Sequence, residues 1–278
     1  MLIESEINLI KKELSDDLGR GDLFSQLGDF SVISANLKAK DDGVFAGEPY
    51  FKEICKIQNI DYELFISDGK NFKKGDILAN LKAPKNIILL TERTLLNFIQ
   101  HASGIATKVA SMKSLIKDYN VALLDTRKTR PGLRVFEKYA IRCGGGQNHR
   151  LGLDDCVMLK DTHLVGVSDL KAFIKELRSK IPYYAPIEIE CDTLEQVKAA
   201  FSADVNAILL DNMSPDECAS IVKLRDSLGL KVLLEASGNI NENTIVDYAK
   251  SGVDVISSGA NIYKATWVDF SLRLETNG

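Results

Sequence analysis

From about residue 120 onward, short apolar runs alternate with longer amphipathic stretches. The runs at 121–124, 156–159, 187–189, 205–210, 232–234 and 253–256 are rich in branched residues and bounded by turn signals. Short unbroken runs of this kind predict strands buried on both faces, as in a parallel sheet. Helical patterns lie between them at 135–141, 170–177, 194–201, 215–224 and 245–250. The first follows Pro131-Gly132, and the second follows Ser168-Asp169. Thr193 and Gln196 have the spacing of a capping box, and Ser214 precedes a Pro215 suited to the first helical position. Residues 241–243 supply the last cap. This alternation predicts βαβ units around a parallel sheet.

The first hundred residues have a different rhythm. Strands are predicted at 31–39, 43–46, 62–66 and 76–81, with turns at Asp68-Gly69 and Lys74-Gly75-Asp76 and a helix at 48–57. A helical stretch at 90–116, with a break expected at Ser103-Gly104, leads onward. The expected division is a first α/β domain over 1–104 and a second over 105–264. Residues 265–278 are expected to return to the first through a segment at 270–274.

Nearly every predicted parallel strand ends in a polar group. These are Asp125, Lys160-Asp161, Glu190, Asp211-Asn212, Glu235 followed by Ser237-Gly238-Asn239, and Ser257-Ser258-Gly259. Strand C-terminal ends carry the chemistry in a β/α barrel and in an open doubly wound sheet alike. The barrel is preferred, because Gly144-x-Gly146 runs into His149 and no Gly-x-Gly-x-x-Gly is present.

Composition narrows the partners. The chain has 278 residues, net charge −4 and 27% charged residues. A pI near 5.6 argues against general nucleic-acid binding. No apolar run approaches a membrane span, and Met1-Leu2-Ile3-Glu4 lacks the features of a signal peptide, so a cytoplasmic location is expected. Cys55, Cys143, Cys156, Cys191 and Cys218 are scattered and odd in number, as expected of reduced thiols. Cys191 follows Glu190 in a predicted strand, where the two side chains face opposite ways, so a reactive Cys191 is not expected.

Against that acidic background, Arg127, Lys128, His149, Arg150 and Lys160 gather near turns and strand ends, which predicts a cleft for a small multiply charged anion. Guanidinium groups match carboxylates or phosphates with two parallel hydrogen bonds, whereas an ammonium acts as a point charge. The bland alternatives are a solvated loop pair at 127–128 and a core histidine at 149. His101 and His163 read as structural, and no Cys/His cluster suggests a transition metal. Lys160 reads either as a Schiff-base nucleophile or as an anion contact. Glu190 and Asp211 read as holding sugar hydroxyls or Mg²⁺, or as local charge balance. Turns at 237–239 and 258–260, after consecutive late strands, suit a phosphate.

Taken in order, these motifs resemble the quinolinate phosphoribosyltransferase family. The resemblance runs through Asp17–Asp22, Asp42–Gly47, Glu92–Asn97, Ser103–Thr107, Asp125–Thr129, Pro131-Gly132, Cys143–Gly146, Asn148–Arg150, Lys160-Asp161, Leu210–Pro215 and Leu234–Ile240. It implies an α/β protein: an N-terminal α/β sandwich joined to an open, incomplete α/β barrel of parallel strands. It also implies a homodimer or higher homo-oligomer in which Arg93 completes the neighbouring site. By resemblance, Arg127, His149, Arg150 and Lys160 contact quinolinate, with the substrate-binding Lys128 close by. Glu190 and Asp211 serve the ribose and the Mg²⁺ that accompanies phosphoribosyl pyrophosphate. Ser237, Gly238, Asn239, Ser258, Gly259 and Ala260 hold the 5-phosphate. Lys128, Lys160, Glu190 and Asp211 are the expected catalytic set. No organic cofactor, nucleic acid or membrane partner is implied. Two positions depart from the family pattern: Arg130, where relatives have a small polar residue, and Tyr263, where many have His.

The implied reaction suits the residues. Quinolinate and phosphoribosyl pyrophosphate are both polyanions, and one cleft can hold them together only with several cations. The alternatives weighed are a relative acting on another base, a barrel aldolase using Lys160, and a ligand-binding scaffold without activity.

Overall fold

The structure, a computed structural model, describes residues 2–28 and 30–275. In chain order the elements are α1 (Glu4–Leu18), β1 (Val32–Ala39), β2 (Gly43–Val44), α2 (Glu48–Ile57), β3 (Asp61–Leu64), β4 (Asn71–Phe72), β5 (Ile77–Pro84) and α3 (Lys85–Leu115). Then come β6 (Ala122–Leu124), α4 (Arg134–Cys143), β7 (Val157–Leu159), α5 (Leu170–Arg178), β8 (Ile187–Cys191), α6 (Leu194–Phe201) and β9 (Ala207–Asp211). The chain closes with α7 (Pro215–Ser227), β10 (Leu233–Ser237), α8 (Ile245–Lys250), β11 (Val255–Ser257), α9 (Ala260–Tyr263) and β12 (Phe270–Leu274).

Contacts divide the chain into two compact units. Met1–Ala110, Val135–Gly145 and Ala265–Gly278 form one, and Ser111–Arg134 with Gly146–Lys264 form the other. The division differs from the expected 104/105 boundary mainly at α4, which groups with the first unit. Its Phe136 stands edge-on to Tyr50 at 4.8 Å and to Phe98 at 5.5 Å, inside that unit's core.

The first unit carries an antiparallel sheet of order β12-β1-β5-β3 and a small β2-β4 pair. Alternation along β1 buries Ala35, Leu37 and Ala39, and β12 pairs with that strand from Ala35↔Leu274 to Ala39↔Phe270. Helix α1, which the sequence reading left unassigned, buries Ile10 and Leu14 among charged neighbours. The expected break at Ser103-Gly104 does not occur, for α3 runs through it. The Ser103 hydroxyl accepts from Ala46 N at 3.0 Å and donates to Ala46 O at 3.1 Å. A Cβ on Gly104 would lie 2.2 Å from the Thr266 carbonyl oxygen. This glycine answers a need for close backbone approach, not for a bend.

The second unit is built on a six-stranded sheet of order β6-β11-β10-β9-β8-β7, parallel throughout, with β6 and β7 at its two ends. The α/β expectation of an open barrel of parallel strands matches this sheet. Helix starts follow the predicted caps: Asp169 accepts from Ala172 N, and Thr193 and Ser214 form capping boxes with Gln196 and Glu217. For α8 the cap position is Thr244, not 241–243.

Register explains the site. Met158 lies opposite Glu188, Glu190 opposite Leu209, Leu209 opposite Glu235, Asp211 opposite Ser237, and Glu235 opposite Val255. Side chains alternate along a strand, so these residues share one face of the sheet. Buried Ile187, Ile189, Ile208, Leu210, Leu234 and Ile256 belong to the opposite, apolar face.

Candidate active site

A cleft of about 340 Å³ opens at the C-terminal ends of the parallel strands, within the range of small-ligand sites. It is lined by Thr126, Arg127, Lys128, His149, Arg150, Met158, Lys160, Glu190, Leu209, Asp211, Glu235, Ser237 and Ser257. Four cations thus share one cavity with carboxylates deeper along the strands.

Asp125 organises the basic side. It is fully buried just past β6 and accepts from Asn148 Nδ2 at 2.6 Å and from His149 N at 2.9 Å. Gln147 forms a parallel bridge with Leu124. The segment after Gly146 is therefore tied beside β6, which delivers Arg150 to the cleft. Arg150 donates to Cys156 O at 3.0 Å. That bond fixes one arm of the guanidinium.

His149 lines the cleft, and its ring nitrogens are engaged within the protein. Its Nδ1 accepts from Arg150 N at 2.8 Å, and its Nε2 lies 3.1 Å from Glu188 and 3.4 Å from Glu235. Both ring nitrogens are used within the protein, so His149 offers a substrate no nitrogen. Burial opposes a charged imidazole, but the Glu188 and Glu235 carboxylates outweigh it and raise His149. Burial also raises Glu188, and the neighbouring Glu235 adds to the effect. The Arg150 N–H requires a bare Nδ1, which places the ring's proton on Nε2, toward the two carboxylates. A metal on these three residues would need that same Nε2. The geometry favours a hydrogen-bonded cluster over an ion site.

Across the cleft, Lys160 Nζ pairs with Glu190 at 2.5 Å. Burial raises Asp211, and nearby Glu190 and Asp192 raise it further, while Lys160 and Lys128 oppose them. This carboxylate group is short of positive charge and offers hard oxygen ligands of the kind Mg²⁺ takes.

Three residues with positive φ shape the neighbouring turns: Asn212 at 54°, Gly238 at 103° and Asn239 at 53°. At the next turn, a Cβ on Gly259 would meet the Tyr263 ring at 2.8 Å and the Lys128 Cδ at 3.2 Å. Tyr263 thus packs against the turn at 258–260. Ser258 corrects its expected role. Its hydroxyl donates to Ile240 O at 2.7 Å and its N–H to Leu124 O at 3.1 Å, so both donors are spent and Ser257 lines the cleft instead. Gly238, Asn239, Gly259 and Ala260 lie outside the lining too, on the adjoining turns, and Arg130 is also absent from it. Arg93 is exposed on α3.

The sequence reading missed Glu188 entirely and passed over Glu235. The alternation Ile187-Glu188-Ile189-Glu190 was the available signal, since it places two acids on one strand face. The remaining histidines are structural. His101 pairs with buried Glu137 at 3.1 Å and stacks on Trp267, and His163 Nδ1 accepts from Lys160 N at 3.0 Å. Cys191 is buried, which pushes its thiol up to about 12, the state of an unreactive thiol. No helix among the described residues is long and apolar enough to cross a membrane.

The chain matches two domain families, the quinolinate phosphoribosyl transferase N-terminal domain over residues 24–103 and its C-terminal domain over residues 105–273. A probable nicotinate-nucleotide pyrophosphorylase [carboxylating] of Synechocystis is 38% identical over 271 residues, covering 96% of this chain and 92% of that protein. A probable enzyme of the same name from Bacillus subtilis is 37% identical, over 92% of this chain and 89% of its own. The nicotinate-nucleotide pyrophosphorylase structure from Francisella tularensis superposes with a TM-score of 0.93 at 33% identity, covering 99% of this chain and 98% of that one. This chain belongs to the quinolinate phosphoribosyl transferase family.

Proposed function

We propose that this protein transfers phosphoribose from phosphoribosyl pyrophosphate to quinolinate with loss of CO₂, forming nicotinate mononucleotide and pyrophosphate. One observation carries the reading: in a chain of this family, Arg127, Lys128, Arg150 and Lys160 converge on a single cleft with Glu190 and Asp211. Quinolinate brings two carboxylates, and the sugar donor brings several further negative charges. The cations reduce the repulsion between them.

Arg127 and Arg150 suit the two carboxylates, and their planar forks fix the ring in its plane. Lys160, paired with Glu190, stands between the base and the ribose. An ion-paired ammonium has no lone pair to offer a carbonyl, which disfavours the aldolase alternative. Glu190 and Asp211 accept hydrogen bonds from ribose hydroxyls, and the backbone at 237–239 and 259–260 receives the 5-phosphate. Asp211, with Glu190, would hold Mg²⁺, which supplies positive charge to the departing pyrophosphate oxygens.

The pyridine nitrogen carries its own lone pair, so its attack on the anomeric carbon needs no general base. Once alkylated, the nitrogen is positive and stabilises the carbanion left at C2 as CO₂ departs; that carbon then takes up a proton. The protein contributes positioning and fixed charge. We assign Arg93 to the cleft of a neighbouring copy in a homo-oligomer. The test of the reaction is CO₂ release from carboxyl-labelled quinolinate, which must depend on phosphoribosyl pyrophosphate; nicotinate consumption in its place would overturn the choice of base.

A further inference from the structure

The turns that follow β9 and β10 meet at Asn212. Its Nδ2 donates to Asp211 Oδ2 at 2.7 Å. Its backbone N–H donates to Ser237 O at 2.9 Å. Its Oδ1 accepts a long bond from Asn239 Nδ2 at 3.4 Å and lies only 2.3 Å from where a Cβ on Gly238 would sit. Gly238 therefore has no room for a side chain because Asn212 occupies it. Asn212 itself holds φ 54°, a left-handed conformation that asparagine and glycine adopt most readily.

From this geometry we infer that Asn212 is a positioning residue that sets the spacing between the Asp211 carboxylate and the phosphate turn at 237–239, and so gauges the length of a ribose 5-phosphate. The inference rests on the reading above, in which Asp211 meets the sugar hydroxyls and that turn meets the 5-phosphate. A free carboxylate rotates. The amide of Asn212 removes that freedom from Asp211 while its carbonyl oxygen packs against the Gly238 backbone. The two ends of the donor's sugar phosphate are thus held by one link.

Asn212→Gly separates this role from a merely conformational one, because glycine takes the left-handed backbone without strain and lacks only the side chain. The expected result is a rise of about ten- to a hundredfold in KM for phosphoribosyl pyrophosphate, the effect of losing a charge-assisted hydrogen bond at a binding carboxylate. Quinolinate affinity, measured by calorimetry on the apoenzyme, should stay within about twofold. Asn212→Asp tolerates the same backbone but sets a second carboxylate beside Asp211, and should be at least as impaired; it gives the reading if the glycine variant folds poorly. A glycine variant with wild-type KM for the sugar donor would overturn the inference, leaving Asn212 a simple turn residue. Equal losses of sugar-donor and quinolinate binding in both variants would overturn it too. Wild-type protein that fails to consume the two substrates would instead refute the underlying reaction, a separate outcome.

Discussion

At the residue scale, the cations of the cleft differ in how firmly they are aimed. Arg150 is aimed twice: its backbone N–H caps His149 Nδ1, and its guanidinium donates to Cys156 O at 3.0 Å. Lysine at this position would retain the charge but lose the fork and its anchor. Arg150→Lys should therefore weaken quinolinate binding by about ten- to a hundredfold and change KM for the sugar donor little. Calorimetric titration with quinolinate reads this directly, and unchanged affinity would remove Arg150 from the base site. Single residues were legible in the sequence where their chemistry was unusual for their surroundings, as with Arg127, Lys128, Arg150 and Lys160 at strand ends in an acidic chain. His149 was legible as important but not as a member of a buried trio. Glu188 and Glu235 come from strands far from it in sequence, and only the folded sheet brings both within reach of its Nε2, at 3.1 and 3.4 Å.

At the element scale, periodicity carried most of the information. Helices α2, α6 and α8 occupy the residues that their patterns predict, because their apolar spacing is locally consistent, and α6 adds its capping box. Strands β9 and β10 extend beyond their apolar runs into Asp211 and Ser237, so these two residues are part of the sheet, whereas Arg127, Lys128, Arg150 and Lys160 lie beyond the strand ends. The failure at Ser103-Gly104 has a physical cause. A glycine in a helical pattern reads as a weak point, but here its missing side chain admits the backbone of residues 266–267. Gly104→Ala separates the two readings by sign. Helix propensity alone predicts a gain of about 1 kcal/mol, whereas a Cβ driven against a carbonyl oxygen predicts a loss of about 1–3 kcal/mol. A melting temperature that falls supports close packing; one that rises would restore the weak-helix reading.

At the scale of the whole molecule, the two-part organisation was visible as a change of rhythm near residue 120. The grouping of α4 with the first unit was not, because nothing in the local pattern around residue 135 indicates which core its apolar face will join. Assembly is the property a single chain states least. Arg93 is exposed on α3, and the proposal that it serves a neighbouring copy predicts complementation. Co-expressed Arg93→Ala and Lys160→Ala chains, each inactive alone, should recover about a quarter of wild-type activity, since half the dimers formed at random would be mixed and each would hold one intact site. No recovery in mixed dimers would place Arg93 outside the active site.

The central claim is that one cationic cleft brings a pyridine diacid and an anionic sugar donor together and that carboxyl loss follows alkylation of the ring nitrogen. The most direct measurement is labelled CO₂ release from quinolinate carrying the label in its 2-carboxylate. The account predicts release in step with pyrophosphate when phosphoribosyl pyrophosphate and Mg²⁺ are present, and none when the sugar donor is withheld or the metal is chelated. Release without the sugar donor, or pyrophosphate formation from nicotinate with quinolinate left intact, would contradict it.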